Sequence, residues 1–223
     1  MSSSANSGND GRSNRQPAKR AFAAEFEDAS EIFQDGDDER SPKFAVLPTG
    51  ANANRVFAVG TLTQTKDVAK GGDNEYWQAR VVDRTGTFFV YAGQYQPEAM
   101  AALRSMEAPE YVAVVGKPRS YETDDGDMRV SLTPESITVV DEATRDRWVV
   151  ETAEQTLERI EAMDVEIREG DYSEDIGRAL EAYNEDAPLG EYEQSAKEAL
   201  AQVAGVEGEI EGDDESEAEA RSE

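Results

Sequence analysis

The chain of 223 residues contains no cysteine and no histidine. Without cysteine there is no disulfide framework and no thiolate zinc site. Without histidine the commonest general base and metal ligand is missing. No apolar run approaches the roughly 20 residues of a membrane-spanning helix, and the N-terminus lacks a signal-peptide core. These absences predict an intracellular protein with no membrane partner. Lysine is scarce beside arginine, and 22 basic residues face 49 acidic ones, for a formal net charge of −27. A charge of that size argues against a polyanionic partner if it is spread evenly.

It is not spread evenly. Residues 1–43 carry a net −3, residues 44–141 a net −4 and residues 142–223 a net −20. The middle of the chain is therefore close to balanced. Little lysine and an acidic surface match a halophilic cytoplasm, where molar salt shortens the Debye length to about 3 Å and self-repulsion is tolerable. An ordinary acidic protein with a disordered tail has the same balance. Asp124, Asp125 and Asp127 lack the glycine and distal glutamate of a calcium loop. Neither a phosphate-cradling Gly-x-x-x-x-Gly-Lys nor a Gly-x-Ser-x-Gly elbow occurs. The expectation is a protein that is not an enzyme and carries no cofactor and no metal.

What is present is an alternating hairpin. Tyr76 to Val82, then Asp83-Arg84-Thr85-Gly86, then Thr87 to Tyr91 reads as two strands about a tight turn. Successive side chains on a strand point to opposite faces. If Val82 pairs with Thr87, Val81 faces Phe88 and Ala79 faces Val90, all apolar. The other face then pairs Arg80 with Phe89 and Gln78 with Tyr91, with Tyr76 at the end of the ladder. Trp77 shares the parity of the core residues. A sheet face with rings, an amide and a cation suits stacking of unpaired bases.

Other elements follow in order. Residues 1–20 read as disordered. Residues 21–43 form an arm in which Phe22, Phe26, Ile32 and Phe33 make a short stripe at near-helical spacing. It either packs on the chain's own body or docks a partner, and these four are the candidate partner-binding residues. Phe44 to Asn54 reads as an extended approach, with Pro48 and Gly50 as turn formers. Strands are expected at Arg55–Thr65, through the hairpin, at Glu110–Tyr121 and at Met128–Val140. A helix from Gln96 to Met106 separates the third strand from the fourth, with Pro97 in its first turn and Met100, Leu103 and Met106 as its core stripe. Gly60 and Gly116 fall mid-strand, where a small barrel needs bulges or sharp coiling. This β-β-β-α-β-β order predicts a mainly β fold: a five-stranded OB-fold Greek-key barrel at 44–141 with a flanking N-terminal arm and C-terminal helices. Helices are expected at 144–163, with Thr144 as cap, at 173–183 and at 189–203, in a helical region spanning 142–204. Residues 205–223 read as an acidic disordered tail.

In such a barrel strands two and three and the loops after strands one and four line the ligand groove. Beside Tyr76, Gln78, Arg80, Phe89 and Tyr91, the candidate nucleic-acid-binding residues are therefore Lys66, Lys117, Arg119 and Arg129, with Lys70 and Arg84 nearby. Phe89 also has a bland reading, in which the arm or the C-terminal helices cover it and the barrel is a scaffold for protein contacts.

Several separated segments carry a resemblance. Leu47 to Ala51, Asn54 to Thr63, Asp83 to Gly86 and Pro134 to Ile137, with Phe22 to Ala29 and Arg145 to Trp148, closely resemble the replication protein A-associated proteins of haloarchaea. These look like counterparts of the middle subunit of replication protein A. The resemblance spans about residues 20–165. It implies one OB-fold, association with a large multi-OB replication protein A subunit in a hetero-oligomer, and single-stranded DNA binding in replication, repair and recombination. It also implies a cytoplasmic, nucleoid-associated location. The alternative is a protein-interaction subunit that stabilises the large subunit without touching DNA. The very acidic C-terminus is a departure from a stand-alone DNA binder.

Overall fold

The structure, a computed structural model, describes residues 16–38, 41–69, 71, 74–123, 125–183 and 187–205. Its elements are β1 (Lys19–Arg20), α1 (Ala23–Asp28), β2 (Ile32–Gln34), β3 (Lys43–Leu47), β4 (Ala51–Ala53), β5 (Val56–Asp67), β6 (Trp77–Val82), β7 (Thr87–Ala92), α2 (Pro97–Ser105), β8 (Glu110–Glu122), β9 (Met128–Val139), α3 (Glu142–Glu169), α4 (Glu174–Tyr183) and α5 (Leu189–Val203).

Alternation of apolar and polar residues builds the barrel. Ala79, Val81, Phe88, Val90, Val112, Val114 and Leu132 are fully buried in one interior cluster, while their sequence neighbours point out. The strands run in the order β5-β6-β7-β9-β8, and β8 pairs back onto β5 to close the ring. All pairings in the ring are antiparallel except β7 with β9. With α2 between the third and fourth barrel strands, this is the OB-fold. Short β1 lies parallel to β5 at the outer edge.

Two long strands, β5 and β8, each serve two neighbours and must bend to do so. Glycine permits the bend where backbones nearly touch. A Cβ at Gly60 would lie 2.6 Å from the Val82 carbonyl oxygen, and one at Gly116 2.8 Å from that of Thr133. The pairing register also shifts between Leu62 and Gln64, and between Val115 and Gly116. Helix α2 turns Leu103 into the barrel core, with Met100 and Met106 packed against it.

The arm differs from its expectation. Its stripe is not one helix face. Helix α1 ends at Asp28, and Ile32 and Phe33 lie on β2. Phe22 and Phe26 are 3% and 1% exposed, so neither is available to a partner. The Phe22 ring meets Trp148 edge-on at 5.7 Å, and Phe26 packs 5.5 Å from Phe88 of the barrel. Phe33 is half-buried, stacked on Phe44 and capped by the Arg178 guanidinium at 4.1 Å. Ile32 is half-buried against the barrel core. The physical reason is area: fully burying a phenylalanine is worth about 1.5–3 kcal/mol, and the chain's own barrel supplies the nearest apolar surface.

β7 and β9 pair at a single position, Val90 with Leu132. Helix α1 packs against both strands and places Phe26 in the barrel core. The 83–86 turn fastens it there. The Asp83 carboxylate accepts the Ala23 amide at 2.8 Å, and Thr85 Oγ1 accepts the Ala24 amide at 3.0 Å. Burial pushes the Asp83 carboxyl above its usual range, although the Thr85, Ala23 and Gly86 amides oppose the shift.

Other differences are local. Phe44 to Asn54, expected as an extended approach, holds most of the β3–β4 hairpin, which with β2 makes a separate three-stranded sheet. Lys19 and Arg20, expected in a disordered segment, form β1, while residues 1–15 lie outside the described residues. Helix α3 starts two residues before Thr144. Asp141 is its cap, and its carboxylate accepts the Thr144 amide at 2.8 Å. The acidic tail beyond Gly205 lies outside the described residues.

Helix α3 lies on the back of β5 and β8. Trp148 is 2% exposed and donates its indole N–H to the Phe57 carbonyl at 2.9 Å. Helix α5 packs on α3, and α4 packs on β3 and β4 through Ile176, Ala179 and Val46. A buried pair, Glu25 to Arg159 at 2.8 Å, joins α1 to α3, with Thr49 hydrogen-bonded to both. Arm, barrel and helices thus share one packed body.

Candidate nucleic-acid interface

The outer face of the β5–β6–β7 sheet carries two rows of side chains set by register. Gln64 pairs with Arg80, and Arg80 with Phe89. One step along, Lys66 pairs with Gln78, and Gln78 with Tyr91. The hairpin pairs as its parity requires, from Val82 opposite Thr87 to Gln78 opposite Tyr91. Arg80, Gln64 and Lys66 are exposed, and Phe89, Gln78 and Tyr91 are half-buried. The Arg80 guanidinium sits 5.7 Å over the Phe89 ring.

Beyond the second row stands a tyrosine cluster. Tyr76 stacks on Tyr91 with centroids 5.7 Å apart and planes inclined by 18°. Tyr91 meets Tyr121 edge-on at 6.4 Å. The Gln78 amide donates to the Tyr91 hydroxyl, which fixes the central ring. Tyr76 is held from behind as well. A Cβ at Gly93 would lie 3.0 Å from its ring, so the ring rests on that glycine. Asp67 accepts the amides of Tyr76 and Ala69 at 3.1 and 3.0 Å, fixing the base of the following loop. Those bonds hold the Asp67 carboxyl below its usual range. Glu75 is held low by the Trp77 indole and Arg104. Trp77 is half-buried and packs against the barrel core, the side its parity indicates.

Tyr121 escaped the sequence reading. The signal was available, since it shares parity with Arg119 and Lys117 on its strand. Its pairing partner across the ladder is Arg129. Burial, then the neighbouring Tyr91, push the Tyr121 phenol above its usual value, and the Arg129 charge works the other way. Arg129 therefore lies beside the cluster.

Lys117 and Arg119 lie on β8, apart from the hairpin. Both are exposed, but neither joins the rows. Lys117 lines a depression of about 440 Å³ with Tyr95, Pro97 and Pro134. Arg119 lines one of about 290 Å³ with Ile32, Phe33 and Lys43. Parity places a residue inside or outside a barrel, but a closed barrel has outsides in every direction. Lys70 and Asp124 lie outside the described residues.

Charge pairing separates the cations into two groups. Arg20, Arg55, Arg104, Arg145, Arg147, Arg159, Arg178 and Lys197 hold carboxylates. Among the described residues Lys19, Lys43, Lys66, Arg80, Arg84, Lys117, Arg119, Arg129 and Arg168 form no ion pair. Lys66 and Arg80 on the rows and Arg129 beside them are thus among the cations left without an ion pair, although the Arg129 charge also acts on Glu27. Among the described residues α1 sits at β7 and β9, α3 on β5 and β8, and α4 on β3 and β4, while Gln64, Lys66 and Arg80 stay exposed. No cluster able to hold a metal ion occurs among the described residues, and no helix there is long and apolar enough to cross a membrane.

No family model matches the chain, and no curated protein matches its sequence. Solved structures do share the barrel. A replication protein A heterotrimer bound to single-stranded DNA is 16% identical, with a TM-score of 0.38 over 56% of this chain and 88% of that one. The second single-stranded DNA-binding protein of Mycobacterium smegmatis is 17% identical, with a TM-score of 0.33 over 39% and 84%. An OBody bound to hen egg-white lysozyme is 15% identical, with a TM-score of 0.32 over 39% and 80%. The likeness is one of fold alone.

Proposed function

We propose that this chain binds single-stranded DNA on the outer face of β5, β6 and β7, without catalytic activity. The observation that carries the reading is the open pair of rows, Gln64–Arg80–Phe89 and Lys66–Gln78–Tyr91, ending in the Tyr76–Tyr91–Tyr121 cluster. Rings of this kind stack any base, and the unpaired cations take phosphates. We further propose that the chain works as a subunit of a replication protein A-type complex in a halophilic cytoplasm, beside a large multi-OB subunit. In molar salt the phosphate contribution shrinks and stacking carries most of the affinity, which suits a face with many rings and few cations.

The test is fluorescence anisotropy of labelled oligo-dT with the full chain in molar KCl. Phe89→Ala and Tyr91→Ala are each expected to weaken binding about 5- to 150-fold, the equivalent of about 1–3 kcal/mol per stacked base. Binding that appears only with the large subunit, and is untouched by both substitutions, establishes the protein-interaction role instead.

A further inference from the structure

The depression that holds Arg119 lies between the arm and the barrel. Its lining is Ile32, Phe33 and Gln34 of β2, Lys43 of β3, and Pro118, Arg119 and Ser120 of β8. Its described lining contains two cations and no carboxylate. Neither Lys43 nor Arg119 forms an ion pair among the described residues, and both are exposed. Pro118, Ile32 and Phe33 give it an apolar wall. At about 290 Å³ it admits a phosphate with part of its sugar or base.

Its position relative to the tyrosine cluster gives it meaning. Arg119 and Tyr121 are two residues apart on one strand, hence on the same side and about 7 Å from each other. Across the ladder Arg119 faces Ser131 and Tyr121 faces Arg129. The outer side of the β8–β9 tip therefore leads from the Tyr91–Tyr121 ring contact, past Arg129, to Arg119 and the Lys43 of β3 that lines the same cleft.

We infer that the nucleic-acid track continues past Tyr121 into this cleft, where Lys43 and Arg119 hold one or two backbone phosphates of the same strand. The inference rests on the proposed single-stranded DNA binding. It assigns the arm a second role: β2 and β3 form one wall of the ligand site. Short strands occupy the ring rows alone, and longer ones also reach the cleft.

The experiment uses the full chain and labelled oligo-dT of about 6 and about 16 nucleotides, within the range of site sizes for one such barrel. Affinity is measured across KCl concentrations for wild type, Tyr91→Ala, the Lys43→Gln/Arg119→Gln double variant, and Arg119→Glu as a second probe. Thermal melting checks that each variant folds. For the double variant the short oligonucleotide is expected to bind as to wild type. The long one is expected to bind more weakly, with its salt slope reduced by about 1.4, or about 0.7 per lost phosphate contact. Arg119→Glu is expected to weaken the long oligonucleotide further. If Tyr91→Ala weakens both lengths while the cleft variants change neither, the track ends at the rings and the inference fails alone. Equal loss for both lengths in the cleft variants also overturns the extension. Absence of binding by wild type at either length overturns both the inference and the proposed function.

Discussion

A single glycine sets the geometry of the ring cluster. Gly93 has no side chain, and the Tyr76 ring occupies the space a Cβ would need, 3.0 Å away. Gly93→Val is expected to push Tyr76 off Tyr91 while leaving the β6–β7 ladder intact. Oligo-dT affinity then falls by about the value of one stacked base, roughly 5-fold or more, with a melting temperature close to that of wild type. Comparing anisotropy titrations with a thermal melt separates this from general unfolding. At this scale the alternating pattern made much legible. Phe88 inside and Phe89 outside follow from parity, and so does Arg80 opposite Phe89. Which outer direction a strand faces was not legible, because it depends on where the barrel closes. Lys117 and Arg119 lie outside the two rows for that reason.

At the level of elements, the barrel depends on strands that bend without breaking. In β5 the bend brings Gly60 against the Val82 backbone, where a Cβ would sit 2.6 Å from a carbonyl oxygen that cannot swing aside. Gly60→Ala is expected to destabilise the fold by about 1–3 kcal/mol, the usual cost of overpacking, seen as a lower denaturant midpoint. The helix between the third and fourth barrel strands was visible from Pro97 and its methionine–leucine stripe. The arm's fate was not. Near-helical spacing of Phe22 and Phe26 announces an apolar face without saying what meets it. The β3–β4 hairpin was also hidden, since strands of five and three residues carry too few alternations to register. Its turn, however, was signalled by Pro48 and Gly50, and the Gly50 amide donates to the Leu47 carbonyl at 2.9 Å.

Across the whole molecule, three stretches of sequence that look independent are tied at their buried junctions. Glu25 is 1% exposed, and its carboxylate is held by Arg159 and Thr49. Arg159→Met is expected to cost about 3–5 kcal/mol in chemical denaturation, because it strands a buried charge. The double variant Glu25→Met/Arg159→Met is expected to recover most of that loss. A double variant as unstable as the single one contradicts the account. Composition revealed the uneven charge along the chain but not this tie, since nothing in either local sequence marks a partner 134 residues away.

The single pairing of β7 with β9 has a consequence for inheritance. The ring of strands is not sealed by its own sequence: a six-residue helix encoded ahead of the barrel fills the gap and screens Phe88 from water. Cutting the gene at residue 44 would deliver a barrel with an oily slit along one flank. Recombination that moved the strands without residues 21–29 would meet the same penalty, so the two segments must travel together.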